Sequence, residues 1–192
     1  MLFEPLGMES SANFIFGDLS ERLVKNYYLH PGRRLGEADA MYALTPEQDA
    51  RFVGPLGSVS GFSRVITNCF DYTRLMQMLA CGGIYNGTRI MGRKTIDLLR
   101  TNTLTETMLR EDFTNDYLAG YGYGYGMRTL MDPYAGHHNG SVGAFGWTGG
   151  SGTWAEADPC EGVSIVYMHN LQPNLEEYHH LRMRAVAYGC LQ

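Results

Sequence analysis

Three features of the 192-residue sequence predict an α+β fold, in which an antiparallel strand meander is preceded by a mainly helical part and covered by a C-terminal helix. Residues 120–127, GYGYGYGM, alternate strictly, and period two places Tyr121, Tyr123 and Tyr125 on one sheet face with glycines on the other. Residues 69–81 carry an apolar stripe of Phe70, Leu75, Met78 and Leu79; Asn68 stands three before Asp71 as a helix cap would, and Gly82-Gly83 stops the run. Residues 140–154, GSVGAFGWTGGSGTW, set six glycines among Phe145, Trp147 and Trp154. Such a segment is either a strand whose approachable N–H groups stabilise an oxyanion, or a glycine-rich hairpin whose aromatics fill a core.

In chain order, the Pro5-Leu6-Gly7 turn is expected to end a helix that belongs before Met1. The short apolar run Phe14-Ile15-Phe16 follows. Residues 17–57 show a Pro31-Gly32 turn but no sustained period, which predicts a long irregular connection with one short helix near 19–26. After the 69–81 helix, residues 84–90 form two short extended pieces about Asn86-Gly87, and residues 94–101 a second helix with Ile96 and Leu99 inward. Arg128-Thr129-Leu130 is expected to extend the 120–127 strand. Ser141-Val142 leads into the glycine-rich strand and Thr153-Trp154-Ala155 leads out. Further strands run to Asp158 and over 163–168, separated by a turn at Pro159–Gly162. Residues 175–191 are helical in composition, with Tyr178, Leu181, Ala185, Val186 and Tyr188 available to cover the sheet. Asn139-Gly140 is expected to turn as Asn86-Gly87 does. One incomplete domain results: helices and loops in 1–115, strands in 116–174 and a helix in 175–192.

Composition limits the partners. With 44% apolar and 18% charged residues the chain suits one globular core, which at this length buries about 70% of the unfolded surface. A net charge of −5, with only Lys25 and Lys94 as lysines, offers no basic stripe for nucleic acid, and no apolar run is long enough to span a membrane. The N-terminus lacks a signal-peptide pattern. Cys69, Cys81, Cys160 and Cys190 show no CxxC spacing, so free thiols are expected, with a disulfide between pairs other than Cys69 and Cys81 as the alternative, and a cytoplasmic setting is expected for this chain alone.

Chemistry-bearing patterns are sparse. The residues three before Lys25 and Lys94 are Arg22 and Met91, so these 192 residues hold no Ser-x-x-Lys, and they hold no Tyr-x-Asn; in Gly57-Ser58-Val59-Ser60-Gly61 the serines sit second and fourth rather than at the centre of a nucleophile elbow. His137-His138 and His179-His180 are adjacent pairs whose side chains diverge, so no metal site is expected and solvated or turn histidines are the simpler reading. No cofactor motif is present, since GYGYGYG lacks a following lysine or helix cap.

The order of four segments is more telling. LFEPLGM at 2–8, residues 60–102, GYGYGYGMRTL at 120–130 and GSVGAFGWTGGSGTWAEADP at 140–159 together resemble the C-terminal half of the β-lactamase-like, penicillin-recognising serine hydrolases. This family includes class C β-lactamases, D-alanyl-D-alanine peptidases and related esterases. The resemblance implies a partial β-lactamase/transpeptidase-like fold in which the serine, lysine and tyrosine of catalysis precede the Pro-Leu-Gly-Met turn. It places Trp147-Thr148-Gly149 where the family carries Lys-Thr-Gly or His-Thr-Gly, and makes Gly150 the second oxyanion donor. Tryptophan is uncharged and donates only its indole N–H, which argues against recognition of a substrate carboxylate and toward an uncharged ester, amide or peptide.

The sequence therefore predicts the C-terminal portion of a serine hydrolase, with no complete catalytic set of its own and Trp147, Thr148, Gly149 and Gly150 at the cleft. A non-catalytic binding or structural module on the same scaffold is the rival. Self-association into a homo-oligomer is expected, because strands missing from the family's sheet would leave an open edge.

Overall fold

A computed structural model describes residues 2–13, 19–32, 34–38 and 65–192. Phe14–Phe16, residues 39–57 and the serines of 57–61 lie outside them. The chain opens with α1 (Phe3–Leu6), closed by Gly7 in the left-handed conformation at φ 64°, where a side chain would be strained. α2 (Leu19–Arg22) is the short helix expected there.

Residues 26–38 correct the expectation of an irregular connection. β1 (Asn26–His30) and β2 (Arg34–Ala38) form an antiparallel hairpin about the Pro31-Gly32 turn, and β1 also pairs in parallel with β10 (Leu171–Gln172). Alternation fails to reveal this hairpin because the neighbours Tyr27 and Tyr28 of β1 are both exposed, as is Leu35 of β2, so apolar residues do not mark a single buried face.

α3 (Cys69–Ala80) is capped as expected, the Asn68 carboxamide accepting from the Asp71 N–H at 2.8 Å. Asp71 is buried and accepts in turn from Ser10 N–H and Ser11 Oγ, tying α3 to the chain after α1. Phe70 is not part of the inward stripe: it is 82% exposed, and Met76 joins Met78 and Leu79 inside. β3 (Ile84–Tyr85) and β4 (Thr88–Arg89) close on Asn86-Gly87, both at positive φ; α4 (Arg93–Leu99) buries Ile96, and α5 (Glu106–Glu111) follows.

The main sheet has five antiparallel strands in the order β5-β6-β7-β8-β9: Tyr121–Tyr123, Arg128–Leu130, Phe145–Thr148, Trp154–Asp158 and Val163–Tyr167. Arg128–Leu130 does not extend the tyrosine–glycine strand. The chain reverses at Tyr125-Gly126 and pairs Tyr123 with Arg128, so alternation ends after Tyr123 and Tyr125 is exposed. The glycines have a packing reason: a Cβ on Gly122 would lie 2.5 Å from Asn102 Oδ1, and one on Gly124 would strike the Thr101 carbonyl. The glycine face thus admits the chain leaving α4. Ser141-Val142 precedes rather than forms strand, and Asn139-Gly140 takes no positive-φ turn; the left-handed residue there is His137.

α6 (Glu176–Gly189) covers one face of this sheet and α3 the other. On the α3 face Leu6, Met8, Met76, Met78, Leu79 and Ile96 pack with Phe145, Ala155 and Ala157. The α6 face differs from expectation. Tyr178 and Val186 are exposed, and the buried residues of α6 are His180, Arg184 and Tyr188, spaced four apart and therefore on one side of the helix.

Candidate active site

β7 lies third of five in the sheet, yet its last two residues are open on one side. β6 pairs only with Phe145 and Gly146, so Trp147 and Thr148 run on beyond it while β8 continues alongside. Hydrogen-bond parity sets their direction. Gly149 N–H donates to Thr153 O at 2.8 Å, toward β8, so Gly146 and Thr148 turn their main-chain groups the other way, Gly146 onto β6 and Thr148 into the gap. The sequence-based expectation of a sheet edge is met locally, at the end of an interior strand.

The β7–β8 connection is a tight turn in which Gly152 N–H donates to Gly149 O at 2.9 Å, and Leu171 N–H, from β10, donates to Ser151 O at 3.0 Å. Gly152 sits at φ 96°, and a Cβ there would strike the His169 ring. Trp147 is 41% exposed, with the Tyr123 ring meeting it edge-on at 5.1 Å. Gly150 is exposed, and its N–H has no acceptor among the described residues. All four residues singled out from the sequence therefore stand together, and the turn presents an unclaimed backbone donor beside an aromatic wall.

On the α6 face of β8 lies a buried polar cluster that sequence reasoning missed. Glu156 receives the Tyr121 hydroxyl at 3.2 Å, the Tyr188 hydroxyl at 3.2 Å and His138 Nε2 at 3.3 Å, with Arg184 Nε 3.7 Å away. Gly140 N–H donates to His138 Nδ1 at 2.6 Å, which leaves the ring proton on Nε2 to face Glu156. The single Tyr188 proton is shared between Glu156 and Asp158, at 3.0 Å from the latter, which also accepts from the main-chain N–H of Ser141, Cys160 and Glu161. Burial opposes ionisation of Glu156, but the His138 hydrogen bond and the Arg184 charge outweigh it and hold its carboxyl below the usual range. Burial pushes the Tyr121 and Tyr188 phenols upward, and the neighbouring carboxylates add to the shift. The Arg184 guanidinium lies 5.2 Å from the Trp154 ring and 5.6 Å from that of Tyr121, with no hydrogen-bond acceptor among the described residues. His138 and His180 are thus buried, not the solvated histidines expected. Their signal was the polar i, i+4, i+8 series of His180, Arg184 and Tyr188, facing the alternating acids of β8.

Among the described residues no group of three or more His, Cys, Asp or Glu side chains is arranged to hold a metal, and no helix is long and apolar enough to cross a membrane.

A five-stranded antiparallel sheet between a core helix and a C-terminal helix matches the β-lactamase/transpeptidase-like fold. The chain belongs to the Beta-lactamase family, whose pattern it matches over residues 2–189. It is 28% identical over 177 residues to Protein Rv1367c of Mycobacterium tuberculosis, covering 89% of this chain and 42% of that protein. In structure it resembles simvastatin synthase (LovD) from Aspergillus terreus, with TM-score 0.75 and 17% identity over 100% of this chain and 49% of the other. EstCE1, a hydrolase with promiscuous acyltransferase activity, aligns with TM-score 0.71 and 19% identity over 98% and 49% of the two chains. A penicillin-binding protein homologue from Caulobacter crescentus aligns with TM-score 0.69 and 21% identity over 99% and 50%. The chain thus spans about half the length of these relatives, and at such identities the structural likenesses show the fold alone.

Proposed function

We propose that this chain supplies the C-terminal portion of an esterase-, amidase- or peptidase-type serine hydrolase and is inactive by itself. Its β7 edge and glycine turn would bind an uncharged ester, amide or peptide. The serine nucleophile and its base would come from residues outside these 192. The observation that carries this reading is the unclaimed Gly150 N–H, held on an anchored turn beside the half-exposed Trp147. A donor fixed before reaction costs no reorganisation when an oxyanion forms. No charged group stands at the Trp147 position to select a carboxylate. The four cysteines are unpaired and exposed, which suits the proposed cytoplasmic setting. The test is labelling by a serine-directed fluorophosphonate and a nitrophenyl ester assay. Purified chain should show neither labelling nor burst, and turnover should appear on adding a polypeptide that carries the family's Ser-x-x-Lys and Tyr-x-Asn segments. Stoichiometric labelling of a serine in this chain would overturn the proposed inactivity. Failure of any such polypeptide to restore turnover would favour a non-catalytic module on the same scaffold.

We further propose that the chain self-associates, because β9 ends the sheet unpaired. By the parity set at Gly149, Trp154, Glu156 and Asp158 face β9, so Val163, Ile165 and Tyr167 are spent on β8 while Ser164 and Val166 point outward. Among the described residues only Cys69 Sγ reaches that row, 3.9 Å from Val166 O. The strand VSIVY has no charge to discourage pairing. A two-fold antiparallel register centred on Ile165 would pair Ser164 with Val166 of a second copy and bring Glu161 toward that copy's His169, an acid against an imidazole rather than another acid. Phe70, next to Cys69 and 82% exposed, would be covered across the same axis. Light scattering should give twice the 21.5 kDa chain mass at micromolar concentration, and Ser164→Pro, which removes an outward N–H but none of the β8 bonds, should halve it. A wild-type monomer would refute the pairing.

A further inference from the structure

A hydrogen-bonded route runs from the glycine turn to Arg128, whose guanidinium lies 5.0 Å over the ring of Tyr121 in the buried cluster. Arg128 Nη2 donates to Tyr117 Oη at 2.7 Å, Tyr117 Oη donates to His180 Nδ1 at 2.8 Å, and His180 Nε2 donates to the Gly152 carbonyl at 2.8 Å. The direction of each step follows from its ends. A carbonyl only accepts, so Nε2 must carry the imidazole proton. Nδ1 then presents a lone pair, which the tyrosine hydroxyl satisfies. The guanidinium only donates, so the phenol oxygen receives from Arg128 and its single proton is left for His180. The route joins β6, the 3-10 turn at Asp116–Leu118, α6 and the β7–β8 turn; Arg128 is 1% and His180 0% exposed.

We propose that His180 is a positioning residue for the glycine turn: through Arg128 and Tyr117 it fixes the Gly152 carbonyl, and so the direction in which the Gly150 N–H points. The proposal deepens the assignment of Gly150 as an oxyanion donor and rests on that reading for its catalytic meaning. Three further bonds fix the other main-chain groups: Gly149 N–H on Thr153 O, Gly152 N–H on Gly149 O, and Leu171 N–H on Ser151 O. The bond from His180 is the one made by a side chain, and so the one that protonation can alter. Adding a proton at Nδ1 would set two donors face to face, because the Tyr117 oxygen already receives from Arg128 and its own proton would have no acceptor on this route.

The surroundings favour the neutral ring. His180 is stacked on Trp154 of β8 and lies edge-on to Tyr167 of β9, with His169 nearby and His179 stacked on the same Tyr167 ring. Burial pushes its pKa down to about 4, and the charges of Arg128, His169 and Arg184 act in the same direction against the bond to Gly152. Tyr117 also feels Glu176, at the start of α6. The carboxylate of Glu156 is engaged by His138, Tyr121 and Tyr188 rather than by His180.

The experiment is amide NMR of the full chain without substrate. In the wild-type chain the Gly150 and Gly152 amide resonances should titrate with a midpoint of about 4. His180→Leu should speed hydrogen exchange at Gly152 and Gly149 at least tenfold while leaving Met78, in α3, unchanged. His180→Gln, whose side-chain amide can still donate toward Gly152, should restore slow exchange but not the titration. Tyr117→Phe, which removes one hydroxyl and keeps the ring, should raise the titration midpoint and loosen the same turn amides. Identical turn exchange in wild type, His180→Leu and Tyr117→Phe would overturn the proposal, as would turn amides indifferent to pH from 3 to 7. These readouts need no turnover. Should the turn respond while the complemented enzyme fails to react, the relay stands and the assignment of Gly150 to catalysis falls.

Discussion

On β8 five consecutive side chains are buried, but Ala155 and Ala157 pack toward α3 whereas Trp154, Glu156 and Asp158 face α6. The α3 face is held by shape. Methionine, leucine and alanine side chains fill it, and its stability follows the volume they occupy. The α6 face is held by partners, because Arg128, Arg184, Glu156, Asp158, His138 and His180 are stable inside only while each charge or ring nitrogen is answered. A single strand thus serves two kinds of interior. The polar one reaches the glycine turn through His180, where a fixed dipole rather than apolar volume can hold a backbone group in place.

The sharpest way to break the contrast is Glu156→Leu. It removes the acceptor for Tyr121 and His138, leaves Tyr188 with Asp158 alone and strands the Arg184 charge, at a cost of about 3–5 kcal/mol in urea unfolding. On the other face Met78→Ala, at a side chain with no exposure, should cost about 2–5 kcal/mol through lost contacts and a cavity. The two should then separate by pH. Loss at Met78 should be the same at pH 7 and below pH 4.5, whereas the Glu156 loss should hold from pH 7 to pH 5 and shrink only below about 4.5.

The acid response has a definite sign. His180 has a folded-state pKa of about 4 against an ordinary 6.5, so the unfolded chain binds its proton first. Its contribution is complete above pH 6.5 and is lost as pH falls from 6.5 through 4. Glu156 is also depressed, so its contribution is present above its ordinary value of 4.5 and is lost below that. Urea midpoints should therefore fall steadily from neutral pH into acid, and His180→Gln should flatten the upper part of that slope. The smallest effect is expected at Val186, which is 64% exposed on α6: Val186→Ala should change stability by no more than about 0.5 kcal/mol.

Val186 also marks where sequence reading reaches its limit. The fold class, the cap at Asn68 and the Asn86-Gly87 turn were legible, because each rests on local spacing or on what a backbone needs from glycine. The docking face of α6 was not. Apolar residues occur all around this helix, and only contact with Glu156 and Asp158 selects the His180–Arg184–Tyr188 side. Reversal at Tyr125-Gly126 was hidden for a related reason, since alternation continues through residues that have already left the sheet. Polar burial of this kind is written in pairs far apart in the chain, and a single sequence displays each member separately.

The central claim is that the glycine turn, held through His180 by the polar face, offers the Gly150 N–H to a developing oxyanion. Gly150 is not among the glycines at positive φ and occupies the second position of a four-residue turn, a place that proline tolerates. Gly150→Pro should therefore leave the fold intact, as judged by circular dichroism and urea midpoint, while removing that one donor. Measured in the enzyme completed with the nucleophile-bearing segment, kcat for a nitrophenyl ester should fall by about 100- to 1,000-fold with little change in KM. An unchanged kcat in a folded Gly150→Pro variant would contradict the account.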